Sequence, residues 1–298
     1  MESPFQDISK SDLSGNGGSD AELDAVVAWL ESRAAVKGGG EPFYGAALRK
    51  SLDEVLDGPR TGRWDFNQLE KTEKTYVGTK LEIVLRTALE LHRAFPMDLE
   101  IEGFPVDIKW SMQSVWQIPR EAVGHICLCV GGLADMTRFQ VGVVRCRLEY
   151  LNSGANQDGK KTLSALGRAS MVVLVPPAPI PSNFVTDMDP GIRAEVMGQP
   201  NIQTRVTRLF KLLPRTPIPR EAIRTVARTE GDPIRRTRAD RSRVDPLDGL
   251  RILSYTKSWQ AEQLGYPPLL DGEFMAVTTQ EFMSLPPALR GNKKPDWL

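Results

Sequence analysis

Between residues 98 and 111, apolar positions alternate with polar ones. Leu99, Ile101, Phe104, Val106, Ile108 and Trp110 carry the pattern, with Glu102-Gly103 between its halves. A period of two with a central turn signal predicts a β-hairpin, although Glu-Gly is a weaker turn pair than Asn-Gly or Asp-Gly. A two-residue loop sets Ile101 opposite Phe104, Glu100 opposite Pro105, Leu99 opposite Val106 and Asp98 opposite Asp107. A four-residue loop keeps the same opposites. The apolar pairs then share a core-facing side, and Asp98, Asp107 and Lys109 share the other. Upstream, Leu81, Val84, Leu85, Ala88 and Phe95 recur at helical spacing and predict a helix over 79–95. Glu82 lies on the stripe of Leu85 and Leu89 and leans inward; alternatively it pairs with Arg86 one turn on.

The rest of the chain reads more coarsely. Residues 1–20 are polar and Gly/Ser-rich, so disorder is expected. Helices are expected over 20–35, capped by Asp20, and over 43–56, ended by Asp57 with Gly58 as a left-handed residue. Residues 125–130 and 139–148 read as strands, and 162–172 as either helix or strand. Residues 173–181 hold Pro176, Pro177, Pro179 and Pro181. Proline at that density predicts an extended spacer without regular hydrogen bonding, and the domain boundary is placed there. Beyond it, Asn201 caps a helix bearing Ile202, Val206, Leu209, Phe210 and Leu213. A second helix covers 219–228. Asp232-Pro233 opens a third that carries Arg235, Arg236, Arg238 and Arg241, and a strand follows over 250–255. Two compact helices, an Arg-rich helix and a strand predict a helix-turn-helix with a wing. The expected organisation is a disordered terminus (1–20), an α/β domain (21–173), a linker (174–182) and a mainly helical domain (183–298). The Pro-rich stretch from Tyr266 onward suggests no function.

Charge sharpens this division. The formal net charge of the 298 residues is zero. Between Arg205 and Arg251, however, 13 Lys and Arg stand against 6 Asp and Glu, a net of +7. Such polarity points the second half toward nucleic acid. Three cysteines, two of them alternating in the apolar run Ile126–Val130, suit buried thiols in a reducing compartment. With only His92 and His125, a zinc site or a Ser-His-Asp triad is not expected. No secretory leader is read in the N-terminal residues and no apolar run reaches the roughly 20 residues of a membrane span, so a cytoplasmic protein is expected.

The candidate chemistry lies in the hairpin. Two carboxylates roughly 4.5–5.5 Å apart at Cβ repel unless something compensates them. A hard divalent cation does so, and oxygen ligands suit magnesium. Lys109 is two residues beyond Asp107 and points the same way. Arg60, Arg63, Lys71 and Lys74 could meet phosphates, and Gln113, Ser114 and Gln117 in the loop after the hairpin are of the kind that reads base edges.

In order, TGRW, KTEKT, Glu82, Asp98, the run EIEGFPVDIKWS with its Asp107-x-Lys109, and GHICL at 124–128 resemble the NaeI restriction endonuclease family. The likeness covers most of the chain beyond about residue 45. It implies a PD-(D/E)xK nuclease core of mixed sheet and flanking helices, followed by a winged-helix domain. By that resemblance the chain is a magnesium-dependent type II, IIE-like endonuclease that cuts double-stranded DNA at a GC-rich palindrome such as GCCGGC. It acts as a homodimer, without a nucleotide cofactor, and the second domain binds an effector DNA copy. Glu82, Asp98, Asp107 and Lys109 would be catalytic, with Glu82, Asp98, Asp107 and the carbonyl of Ile108 on the metal. Thr72 would lie close to the site, and the stretch 60–74 beside it and near DNA. A repair nuclease on the same core, or a DNA-binding regulator with an inert core, are the alternatives.

Overall fold

The computed structural model describes residues 20–133, 136–234, 249–291 and 293–294; of the residues expected to be disordered, 1–20, all but Asp20 lie outside them, and Asp20 caps the first helix. In chain order the elements are α1 (Ala21–Val36), α2 (Gly40–Leu56), α3 (Gly58–Thr61), α4 (Lys71–Ala88), β1 (Leu99–Ile101), β2 (Phe104–Ser111), β3 (Gln117–Ile118), β4 (Ile126–Gly132), β5 (Arg138–Arg145), β6 (Leu151–Ala155), β7 (Lys161–Leu163), α5 (Ala165–Ala169) and β8 (Val172–Pro179). The second half adds α6 (Phe184–Asp187), α7 (Pro190–Met197), α8 (Ile202–Leu212), β9 (Ile218–Pro219), α9 (Arg220–Ala227), β10 (Leu250–Ser254), α10 (Ser258–Gln263), β11 (Glu273–Thr278) and α11 (Thr279–Ser284). The chain divides into two compact units, Met1–Val55 with Leu69–Pro181, and Leu56–Gln68 with Ser182–Leu298.

The first unit is built on a five-stranded mixed sheet of order β1-β2-β4-β5-β8, in which β2 and β4 are parallel and the other neighbours antiparallel. The hairpin has the expected register, Leu99 opposite Val106, Glu100 opposite Pro105 and Ile101 opposite Phe104. Glu102 and Gly103 both have positive φ (52° and 81°), the backbone a tight two-residue hairpin turn demands. Leu99, Ile101, Val106 and Ile108 are buried. The opposite side is covered too. A small sheet of order β3-β7-β6 contributes Ile118, Leu151 and Leu163 to a core with Trp116, Cys127, Cys129, Val144 and Cys146. The polar side of the hairpin is therefore also the rim of a second core.

Three expectations are corrected and an open one is resolved. The helix predicted over 79–95 is α4, which starts eight residues earlier at Lys71, because Glu70 and Glu73 form a reciprocal capping box. It ends at Ala88, and Phe95 is 98% exposed rather than on the apolar stripe. The ambiguous stretch 162–172 splits into β7 and α5. Asp57, not Gly58, takes the left-handed conformation (φ 47°). Gly58 lies in α3, where a Cβ would meet Thr225 Oγ1 at 2.4 Å. Lastly, the expected spacer is β8, an edge strand paired to β5. Proline is excluded from a central strand but not from an edge, where one row of N–H groups has no partner to serve.

In the second unit, α7, α8 and α9 pack with Phe274 and Ala276 of β11 around Val206, Leu209, Phe210, Ile223 and Val226. Its sheet has the order β10-β11-β9. Residues 56–68 belong to this unit. Trp64 packs on that core, its carbonyl accepts from Asn183 Nδ2 and Thr186 Oγ1, and the Arg193 guanidinium lies over its ring. The stretch beyond Tyr266 forms a second small core on β10 and β11, with Leu253, Ala261, Leu269, Met275 and Val277.

Candidate active site

Asp107 and Lys109 are presented by alternate positions of β2, so both side chains leave the same side of the sheet. Asp98 immediately precedes β1, and its Oδ2 accepts from the backbone N–H of Ile108 at 2.9 Å. This bond ties the start of β1 to the middle of β2 and holds one Asp98 oxygen beside Asp107. Glu82 enters from α4, which packs on Trp110 of β2 at Gly78, where even a Cβ would make only ordinary contact at 3.4 Å. Glu82 is half-buried.

The electrostatics are those of crowded acids. Asp107 is 6% exposed. Burial, and then the facing Asp98 carboxyl, push its pKa from 3.8 up to about 7, against the pull of Lys109. The Lys109 ammonium stands 2.5 Å from Asp107 Oδ2. It is poorly aligned, however, and that buried oxygen makes no hydrogen bond. Burial works against the charge of Lys109, but Asp107 outweighs it and the ammonium pKa is raised. Glu82 is raised as well, by burial first and then by Asp98, with Lys109, Arg86 and Arg93 pulling the other way. The alternative pairing with Arg86 is thus a weak influence on Glu82, which responds more to Asp98. Asp98 and Lys109 thus act on both Glu82 and Asp107, which brings the three carboxylates and the lysine expected from the sequence together.

Among the described residues, no group of three or more His, Cys, Asp or Glu side chains is arranged to hold a metal ion. A pair of oxygens from Asp98 and Asp107 fits a hard cation nonetheless. One Asp107 oxygen is buried without a regular hydrogen bond, and burial with the neighbouring Asp98 raises the Asp107 pKa, as expected where positive charge is short.

The candidate DNA-contact residues are distributed over both units. Lys71 and Thr72 are exposed in the first turn of α4, with half-buried Lys74 behind them. Gln113 is exposed in the loop after β2. Arg60 and Arg63 belong to the second unit. Arg60 pairs with Glu230 at 3.0 Å, and Arg63 donates to the Leu56 carbonyl at 3.3 Å. Pro233 and Ile234 are helical, but Arg235, Arg236, Arg238 and Arg241 lie outside the described residues. Ser114, read as a base-reading side chain, is instead buried. The cysteines are buried free thiols, as expected; hydrogen bonding with Cys146 and burial raise the Cys127 pKa well above the usual thiol range.

No described helix is long and apolar enough to cross a membrane. The model for the family Restriction endonuclease NaeI matches residues 37–285. The Type II restriction enzyme NaeI of Lentzea aerocolonigenes is 36% identical over 243 residues, which covers 77% of this chain and 76% of that protein. With a mixed sheet presenting Asp98, Asp107 and Lys109 at the end of a hairpin, and matches of this extent, the chain belongs to the NaeI restriction endonuclease family, type II site-specific deoxyribonucleases.

Proposed function

We propose that this endonuclease hydrolyses double-stranded DNA with magnesium held by Asp98 and Asp107. The observation that carries the reading is the buried Asp107 oxygen, which faces Asp98 and Lys109 without a hydrogen bond of its own. The Ile108 carbonyl would complete the ligand set, and Glu82 would serve it through water or a second cation. Magnesium, when bound, supplies charge neutralisation at the scissile phosphate and a more acidic water. Lys109 orients the attacking water and steadies the charge that develops on the phosphate. Asp107 binds a cation in its ionised form, so its raised pKa sets a proton against the metal. The products would carry 5′-phosphate and 3′-hydroxyl ends. Lys71, Thr72, Lys74, Arg60 and Arg63 would contact DNA, and Gln113 would meet base edges.

The second unit is proposed to be a winged-helix module that binds an effector copy of DNA. Its described order, α8, β9, α9, then β10 and β11 with β11 between β9 and β10, supports this reading. The +7 balance over 205–251 supports the same reading. Arg235, Arg236, Arg238 and Arg241 would carry the contacts. A palindromic site, GCCGGC being the first to try, would be met by a homodimer with one active site per strand.

The test is digestion of a sequenced plasmid with and without magnesium, with the fragment ends mapped. Cuts at one repeated sequence, in magnesium only, are expected. Cuts that track lesions or DNA structure would mean a repair nuclease instead. For the second unit, the rate on a single-site plasmid should rise when a short specific duplex is added, and Arg235→Ala with Arg236→Ala should remove the rise. A ligand shifts an equilibrium only through differential affinity, so a flat wild-type curve would dispose of the effector site.

A further inference from the structure

The row Asp107, Lys109, Ser111 on β2 lies beside the row Cys127, Cys129, Gly131 on β4, and Gly131 pairs in turn with Gln140 on β5. Residues paired in this way share a side of the sheet. At the Ser111 end the chain turns back over the sheet, and the next five residues are fixed at three points. Ser111 Oγ accepts from Val115 N at 2.9 Å and from Gln113 N at 3.3 Å. Trp116, fully buried, donates Nε1 to the Val130 carbonyl at 3.0 Å. Ser114 Oγ accepts from Gln140 Nε2 at 2.5 Å, with both side chains buried.

Three further facts show that this shape is imposed. Ser114 has a φ of 54°, a conformation that costs a non-glycine residue about 1 kcal/mol or more and persists only where surroundings enforce it. A Cβ on Gly131 would stand 2.6 Å from Ser114 Oγ and 2.8 Å from the Trp116 ring, so the loop presses directly on β4. Gln140 spends its amide N–H on the loop while its Oε1 finds no hydrogen-bond partner. A buried polar pair inside an apolar core is less stable than apolar packing unless it is fully satisfied. Meanwhile the loop's outward side chains, Met112, Gln113 and Val115, are all exposed.

We propose that the Ser114–Gln140 pair is a positioning device for sequence recognition: it locks the loop so that Met112, Gln113 and Val115 meet base edges in fixed register with Lys109. The loop begins two residues after Lys109, so a shift in its backbone changes which base pair is read relative to the bond that is cut. Gln113 supplies a donor and an acceptor, and its apolar neighbours suit methyl and sugar edges. The inference deepens the base-reading role proposed for Gln113, and Ser114 and Gln140 act through the loop without touching DNA.

The experiment compares kcat/KM on two duplexes, the mapped cognate site and a copy with one base pair changed, for wild type, Ser114→Ala, Gln140→Leu and Gln113→Ala. The cognate-to-variant ratio should fall roughly ten- to a hundredfold in Ser114→Ala and Gln140→Leu, about the worth of one base-edge contact. Gln113→Ala in the Ser114→Ala background should add little, because both act on one contact. Tm is recorded alongside; a merely structural role moves Tm and leaves the ratio alone. Equal losses on both duplexes would overturn the inference. If Gln140→Leu does not fold, Ser114→Ala, which removes one oxygen, decides alone. An intact ratio in Gln113→Ala, with collapsed ratios in the other two, keeps the positioning role and passes the reading to Met112 or Val115. A collapsed ratio in Gln113→Ala alone keeps the reading role and overturns the positioning.

Discussion

Asp107 in the first unit and Glu281 in the second are both carboxylates drawn in from solvent beside a cation, and they end at opposite extremes. Glu281 accepts from Arg215 Nε at 2.7 Å, Tyr266 Oη at 2.6 Å, and Thr278 N and Oγ1 at 2.7 Å each. Arg215 above all, then Tyr266 and Thr278, hold its pKa down at about 2 against the effect of burial. Asp107 has one misaligned ammonium, a facing acid and an oxygen with no hydrogen bond, and is pushed up to about 7. The difference separates a carboxylate whose valence is spent on the fold from one held in reserve. Glu281 welds α11 to β11 and the loop before it. Asp107 stores, on the order of 4 kcal/mol, the cost of ionising a buried acid, and something that binds there can recover it.

The largest effect that tests this contrast is on cleavage. Lys109→Ala should lose ~10²–10³ or more in rate, while magnesium affinity changes little because lysine is no ligand. Asp107→Asn should abolish cleavage and leave DNA binding intact, since phosphate contacts elsewhere dominate affinity. Cleavage by Asp107→Asn within about threefold of wild type would place Asp107 with Glu281 among structural acids.

Next comes stability without metal. A carboxyl whose folded pKa is raised stabilises the protein fully below 3.8 and loses that contribution as pH climbs through about 7. Asp107→Asn removes the ionisable group. Its Tm in a chelator should therefore exceed that of wild type by a margin that is small near pH 4, grows to about pH 7 and then levels at several degrees. Thermal melts from pH 4 to 8.5 measure it; a lower Tm for the variant at pH 8 would contradict the stored cost.

Glu281→Gln should act with the opposite sign, losing about 1–2 kcal/mol at neutral pH through its capping and charged hydrogen bonds. Because its folded pKa is depressed, that contribution is present above 4.5 and fades as pH falls through about 2, so the gap between variant and wild type should close in acid. Arg215→Ala should be the mildest, with a smaller loss in denaturant unfolding than Glu281→Gln, since the guanidinium is half exposed.

How much of this was legible in the sequence depended on whether the cause was local. The hairpin register followed from a period of two and one turn, and Asp98, Asp107 and Lys109 followed from that register; Glu82 followed from the helical stripe it shares with Leu85 and Leu89. The early start of α4 was also local and could have been read from Glu70 and Glu73, a capping signal obscured by charged neighbours. The burial of Asp107 was not legible. Asp107 shares its side of the sheet with Cys127 and Cys129, whose core is completed by the β3-β7-β6 sheet, and those strands are two to five residues long and lie up to 56 residues downstream of Asp107. Gln140 was missed for a similar reason, because nothing near it in sequence announces that it serves a loop 26 residues earlier. Residues 60–74 read as one charged stretch, yet residues 56–68 pack in the second unit, and the partners of Gly58 and Gly62, Thr225 and Arg228, come more than 150 residues later.

The prolines of β8 have a consequence outside the folded molecule. A sheet that ends in a free row of N–H and C=O groups invites a strand from another copy to join it, which is how fibrils and amorphous aggregates begin. Here one boundary strand is β1, three residues long, and the other is β8, whose Pro176, Pro177 and Pro179 have no N–H to offer. Replacing these prolines with valine would leave the fold a plausible strand and remove the guard. The cost would appear in the crowded cell and during refolding, as precipitation at high protein concentration, rather than in the stability or the chemistry of a single chain.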